Sequence, residues 1–157
     1  MSKSTRATLS LAKAGVAFET VIYDYDPDAD RIGLQAAEAI GAAPSIVLKT
    51  LMAEVDGKPV CVVLPSDEEV SMKKLASAFK GKSANMMKPA QAEKTTGYVV
   101  GGISPFGQKK QVPTVFEEQA LAHRLVYMNG GQRGLQVKLS PQDAIKAANG
   151  FAASVIA

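Results

Sequence analysis

Hydrophobic positions fall into two rhythms along the chain. In "SIVLKTLMAEV" and "KPVCVVLP" they form dense runs rich in β-branched residues, which predict two strands. Between these runs stand Asp56 and Gly57, the dipeptide that most favours a two-residue hairpin turn. "VAFETVIYDYD" predicts a further strand running into Pro27, with short strands expected at 85–87 and 113–116. "RLVYMNGGQRGLQVKL" reads as a second hairpin turning at Asn129, Gly130 and Gly131.

Elsewhere the spacing is helical. Ser4 or Thr5 caps a first helix with Ala7, Leu11 and Ala12 on one side and Gly15 as its stop. A second helix starts near Asp30, carries Ile32, Ala36, Ala39 and Ile40, and ends at Gly41. Ser71 caps a third that runs to Phe79, and a fourth spans 89–95. "SPQDAIKAAN" closes the fold with a last helix: Ser140 caps it, Pro141 takes its first position and Asp143 the capping-box position. Hairpins outnumber crossovers, so the class is α+β, a largely antiparallel sheet with helices packed around it.

The chain has 157 residues, enough for one domain with a substantial core, and no linker or repeat divides it. No apolar run reaches bilayer length, and the polar start lacks the apolar block of a signal peptide. One cysteine excludes an intrachain disulfide and makes the cytoplasm the expected compartment. A net charge of +3 mildly favours an anionic partner.

Conventional catalytic and metal-binding sets are missing. His123 and Cys61 are the sole histidine and cysteine, so no zinc site of usual composition can form within the chain. Cys61 lies in the apolar "VCVVL" and reads as a buried inert thiol; His123 reads as a surface or packing residue. "GYVVGGISPFGQKK" starts like a strand at Tyr98, Val99 and Val100 and then gives up side chains for backbone. It matches neither dinucleotide nor phosphate-loop patterns, and Phe106 stands where a nucleophile elbow needs glycine, which argues against Ser104 as a nucleophile. Two readings of Gly101 and Gly102 stay open: a bulge or tight turn, or bare amides that hold a carbonyl or an anion. Lys49 interrupts an apolar run; it either snorkels to an edge or sits in a pocket where it binds a carbonyl, carboxylate or phosphate.

"KTLMAE", "TTGYVVGGISPFGQKK" and "NGGQRGL", with "YDYDPDAD" near the start and "PQD" near the end, resemble the YbaK family of bacterial Cys-tRNA(Pro) deacylases. These are free-standing relatives of the editing domain inserted in bacterial prolyl-tRNA synthetases, and the similarity runs along essentially the whole chain. The resemblance implies a mixed, mostly antiparallel and partly rolled sheet flanked by helices. It implies hydrolysis of the ester between a wrong amino acid and the tRNA 3′-end, with no cofactor and no metal. Its partners would be a mischarged tRNA and, by extension, prolyl-tRNA synthetase, away from any membrane.

Carried over by motif, the family's lysine is Lys49 and its substrate loop is Gly101, Gly102, Ile103, Ser104 and Pro105; Tyr23 and Asp143 complete the set. Lys109 and Lys110 supply cations for tRNA phosphates, with Lys73, Lys74, Lys80, Lys82 and Lys88 as further basic residues and Arg133 within reach of a phosphate. Each has a plainer role: Tyr23 as a core ring, Asp143 as a helix-capping acid, Arg133 as a solvated turn residue. Gln132 and Gln136 depart from the family pattern. The missing nucleophile is consistent with attack by the substrate's own cysteine thiol. The competing functions are an Ala-tRNA(Pro) deacylase of the same superfamily and a non-catalytic module that binds tRNA or the synthetase.

Overall fold

The computed structural model describes residues 4–28 and 32–157. In chain order the first elements are α1 (Arg6–Lys13), β1 (Glu19–Ile22), α2 (Ile32–Ile40), β2 (Leu48–Val55), β3 (Lys58–Pro65), α3 (Met72–Ala78) and β4 (Ala84–Met86). They are followed by α4 (Pro89–Thr96), β5 (Thr114–Glu117), β6 (Val126–Asn129), β7 (Leu135–Leu139), α5 (Pro141–Ala147) and β8 (Phe151–Ala153). The strands make two sheets, a three-stranded one in the order β1-β7-β6 and a five-stranded one in the order β4-β2-β3-β5-β8. The class is α+β, as the sequence implies.

Local signals account for most of these elements. Asp56 and Gly57 take φ of 51° and 80° and close the β2–β3 hairpin with Val55 opposite Lys58. Thr5 caps α1, Ser71 accepts from the Lys74 amide at the start of α3, and Ser140 accepts from the Asp143 amide at the start of α5. The starting point expected for the second helix, Asp30, lies outside the described residues.

Several expectations fail for reasons of packing. Residues 98–100 are not a strand, because the Tyr98 ring is buried and its hydroxyl turns back to donate to the Phe106 carbonyl. The last element is a strand, β8, pairing parallel to β5, which in turn pairs parallel to β3. The buried Glu117 carboxylate ties this end down by accepting from the Val155 and Gln119 amides at 2.8 and 2.9 Å. The β6–β7 turn is longer than the glycine pair suggests: Asn129 lies opposite Gln136, so the loop takes up 130–135.

One core joins the sheets. Leu48 and Met52 of β2, Cys61 and Val63 of β3 and Phe116 of β5 pack with Val126, Met128, Val137 and Leu139 of β6 and β7. An isolated parallel bridge between Val47 and Tyr127 links the sheets just before β2. The other face of the large sheet packs Val60, Val62, Leu64 and Val115 against Leu75 and Ala76 of α3. The two cores sit on opposite faces of the sheet because side chains alternate along a strand.

Burial pushes the Cys61 thiol from 9.0 up to about 12 and the Tyr98 phenol from 10.0 up to about 12. Both groups stay neutral in the fold at pH values where the unfolded chain has already lost their protons. Their contribution to stability is therefore whole below pH 9.0 and is lost as pH rises toward about 12. Denaturant midpoints are expected to fall progressively across this window, and a Cys61→Ala, Tyr98→Phe double variant to show a shallower slope. An unchanged slope would mean that these groups do not titrate as their burial requires.

Candidate functional site

β4 pairs with β2 only from Ala53 to Val55, so the opening half of β2 has no strand on that side. A cavity of about 300 Å³ occupies the gap. Leu48, Lys49, Thr50, Leu51 and Met52 of β2 form one wall, and Met86, Met87, Pro89 and Ala92 form another. Val100, Gly101 and Ile103 of the glycine loop, Asn129 and Gln136 of the small sheet, and Tyr23, Ala36 and Val47 complete it. The lining is mostly apolar with a few converging polar groups, the usual character of a small-ligand site.

Lys49 is half-buried and is the only ammonium or carboxylate residue among the described residues of the lining. It has no hydrogen bond or ion pair among the described residues. Of the two placements its sequence context leaves open, a pocket position is the one observed. Tyr23 follows β1 and is 6% exposed; burial pushes its phenol's pKa up, offset in part by the nearby Gln136 carboxamide. The Tyr23 hydroxyl, Gln136 Oε1 and Thr50 Oγ1 are all buried without a hydrogen-bond partner among the described residues. Three orphaned polar atoms on residues around one cavity leave hydrogen-bonding capacity for a ligand.

The glycine loop is held main chain first. Glu93 Oε2 accepts from the Val100 amide at 2.8 Å, and Arg133 Nε donates to the Val100 carbonyl at 2.9 Å. Asn129 Nδ2 donates to the Gly101 carbonyl at 3.0 Å, and the Gly102 amide donates to the Val99 carbonyl at 2.8 Å. The amides of Gly101, Ile103 and Ser104 have no partner among the described residues. Gly101 adopts φ +90°, and a Cβ there would stand 2.5 Å from the Tyr25 hydroxyl. Neither the backbone nor the space admits a side chain.

Other transferred residues stand further back. Gly102, Ser104 and Pro105 are buried and do not line the cavity. Ser104 Oγ accepts from the Phe106 amide at 3.2 Å and its carbonyl accepts from Gln108 Nε2 at 3.0 Å, so its side chain shapes the loop. Asp143 is at the start of α5 and is not part of the lining, which leaves it the helix-capping location. Lys109 and Lys110 are exposed and joined to α4 through amide bonds to the Thr96 and Thr95 carbonyls. Arg133 is exposed and spans the glycine loop and Tyr25, its guanidinium 5.2 Å from the ring centroid.

Thr50, Asn129, Gln136 and Glu93 are not legible in the sequence as site residues. Gln136 alternates with Leu135 and Val137, a pattern that reads as solvent-facing, yet it is 4% exposed. Asn129 reads as a turn former; it does accept from the Gly131 and Gln132 amides, at 2.7 and 3.2 Å, and it grips the glycine loop as well.

Residues 26–147 match the family model described as the aminoacyl-tRNA editing domain. The chain belongs to the aminoacyl-tRNA editing family. This editing protein is 35% identical over 136 residues to the "Putative Cys-tRNA(Pro)/Cys-tRNA(Cys) deacylase EbsC" of Enterococcus faecalis, covering 85% of this chain and 82% of that one. It is 29% identical over 87 residues to the proline–tRNA ligase of Acidithiobacillus ferrooxidans, 55% of this chain but 15% of the ligase. Its fold superposes with a TM-score of 0.86 on a crystal structure described as "a putative trans-editing enzyme for prolyl tRNA synthetase", at 19% identity over 100% of this chain and 98% of that one. The YbaK resemblance and the mixed α+β fold it implies are thereby established, and with them aminoacyl-tRNA deacylation as the class of activity. No described helix is long and apolar enough to cross a membrane, and no described group of three His, Cys, Asp or Glu residues could hold a metal.

Gly101→Ala is expected to lower stability by about 1–3 kcal/mol, the usual cost of a side chain in the left-handed region. Deacylation is expected to drop with it as the loop shifts away from Tyr25. Denaturant unfolding and an ester-hydrolysis assay check the two effects separately; full activity would show that this backbone conformation is dispensable.

Proposed function

We propose that the protein cleaves the aminoacyl ester of mischarged Cys-tRNA(Pro), with the substrate's own thiol as nucleophile. The observation that carries this reading is the make-up of the cavity. It combines one ammonium group and unpaired main-chain amides with no serine, cysteine, histidine or carboxylate among its described lining residues. A site equipped to stabilise charge but not to attack leaves the attack to the substrate. The similarity to a relative named for Cys-tRNA deacylation agrees with it.

In the proposed reaction the cysteine sulfur, having lost its proton, bonds to its own ester carbonyl carbon. The carbon–oxygen bond to the ribose then breaks and the ribose oxygen takes up a proton, releasing tRNA and a cyclic thiolactone. Free amides of the 101–104 loop would hold the carbonyl oxygen as charge develops on it, and each such donor is worth about 2.7–4 kcal/mol. Lys49 would orient the ester and offset charge on sulfur or on the leaving oxygen. Editing is needed because a proline-sized pocket gains only about 1–3 kcal/mol against an amino acid of similar volume. Exposed Lys88, Lys94, Lys109 and Lys110 around α4 supply cations for the tRNA backbone, and prolyl-tRNA synthetase is the proposed partner.

Lys49→Ala is expected to reduce deacylation of Cys-tRNA(Pro) by about 10²-fold or more, in line with loss of one charge-stabilising group. A near-wild-type rate would remove Lys49 from the reaction. Side-by-side assays on Cys- and Ala-charged tRNA(Pro) should show hydrolysis of the cysteinyl ester alone; loss of both esters favours a water-attacking deacylase, and loss of neither a binding module. A Lys109→Ala, Lys110→Ala double variant is expected to raise KM and to shallow its salt dependence, since every phosphate left without its cation takes nearly one unit off the slope.

A further inference from the structure

The loop after β6 leans on the glycine loop through the very peptide that the proposed reaction uses. Arg133 Nε donates to the Val100 carbonyl at 2.9 Å while its guanidinium lies over the Tyr25 ring. From the α4 side, Glu93 accepts from the Val100 amide at 2.8 Å. In a planar trans peptide the carbonyl of one residue and the N–H of the next point in opposite directions. Holding the Val100 carbonyl toward Arg133 therefore turns the Gly101 N–H away from Arg133. That N–H is unpaired among the described residues, and Gly101 lines the cavity. A glycine left to itself populates either sign of φ, so this peptide plane needs an external hold.

From these contacts we infer that Arg133 is a positioning residue: it fixes the plane of the peptide between Val100 and Gly101 and so presents the Gly101 amide to the reacting carbonyl. The inference rests on the cavity being the deacylation site. Its competitor is the role suggested by charge alone, direct contact between Arg133 and a tRNA phosphate. The two roles make different demands. A phosphate contact needs a cation, which lysine also supplies. The positioning role needs a donor at Nε and a flat group that stacks on Tyr25, and lysine has neither.

Arg133→Lys and Arg133→Ala separate the roles in steady-state deacylation of Cys-tRNA(Pro) measured over a range of salt. Both are expected to lower kcat by about 10- to 100-fold with KM and the salt slope nearly unchanged, because a misaimed catalytic group affects the chemical step. Both should also move the Gly101 amide resonance in a ¹⁵N-correlation spectrum of the free protein while distant resonances hold their places. Recovery of kcat by lysine, or a loss confined to KM with the salt slope reduced by about one unit, would make Arg133 a phosphate ligand and overturn the inference. An unmoved Gly101 amide would overturn it without reference to any substrate. Failure of the wild-type protein to hydrolyse any mischarged tRNA(Pro) would instead overturn the proposed function, and the catalytic half of this inference with it.

Discussion

The Val100 peptide groups are gripped from two sides by charged side chains, and the cavity takes its form from that grip. Glu93 on α4 holds the amide and Arg133 on the β6–β7 loop holds the carbonyl. Behind them the loop is closed by Tyr98 to the Phe106 carbonyl, by Ser104 to the Phe106 amide and by Gln108 to the Ser104 carbonyl. A glycine-rich segment loses more conformational entropy on ordering than any other, and these bonds offset that cost. They also explain why so many polar residues near the site have no catalytic part: they define where the backbone stands.

Within that frame the division of labour is simple. Apolar walls from β2, β4 and α4 exclude water, which strengthens any charge interaction inside. Lys49 enters on β2, a strand paired along its length to β3, so its base is fixed even though its stem is long. Tyr23, Thr50 and Gln136 bring neutral hydrogen-bonding atoms without partners among the described residues. The protein contributes orientation and charge stabilisation, and its reactive sulfur, Cys61, is spent on the core, where burial holds the thiol protonated.

Legibility in the sequence follows the range of the interactions. Asp56 and Gly57, Ser71 and Ser140 act on neighbours a few residues away, and they place the first hairpin and two helix starts correctly. Lys49 is visible because an ammonium group in an apolar run demands an explanation. The parallel pairs of β5 with β3 and β8 depend on chain segments far apart, and three-residue β8 carries too little pattern to be seen. Tyr98, Val99 and Val100 have strand-forming side chains, yet the tyrosine ring is needed to close the loop, and tertiary packing overrides propensity. Gln136 misleads because alternation identifies a second face of β7 without saying that Tyr23 and α2 cover it; Ala36 and Ala37 of α2 pack there with Tyr23 and Val47. Asp143, matched by motif, stands at a helix start away from the cavity, which shows how a short motif can align without aligning the chemistry.

Because β4 stops at Met86, opposite Ala53, the vacancy beside β2 is a missing half-strand and no hollow has been carved from the core. Its depth is then governed by where a peripheral three-residue ribbon ends and by the two flexible thioethers of Met86 and Met87 at that end. Lineages that share this scaffold can therefore resize the chamber for a different amino acid by trimming or extending one border strand, leaving the hairpin that carries the lysine untouched.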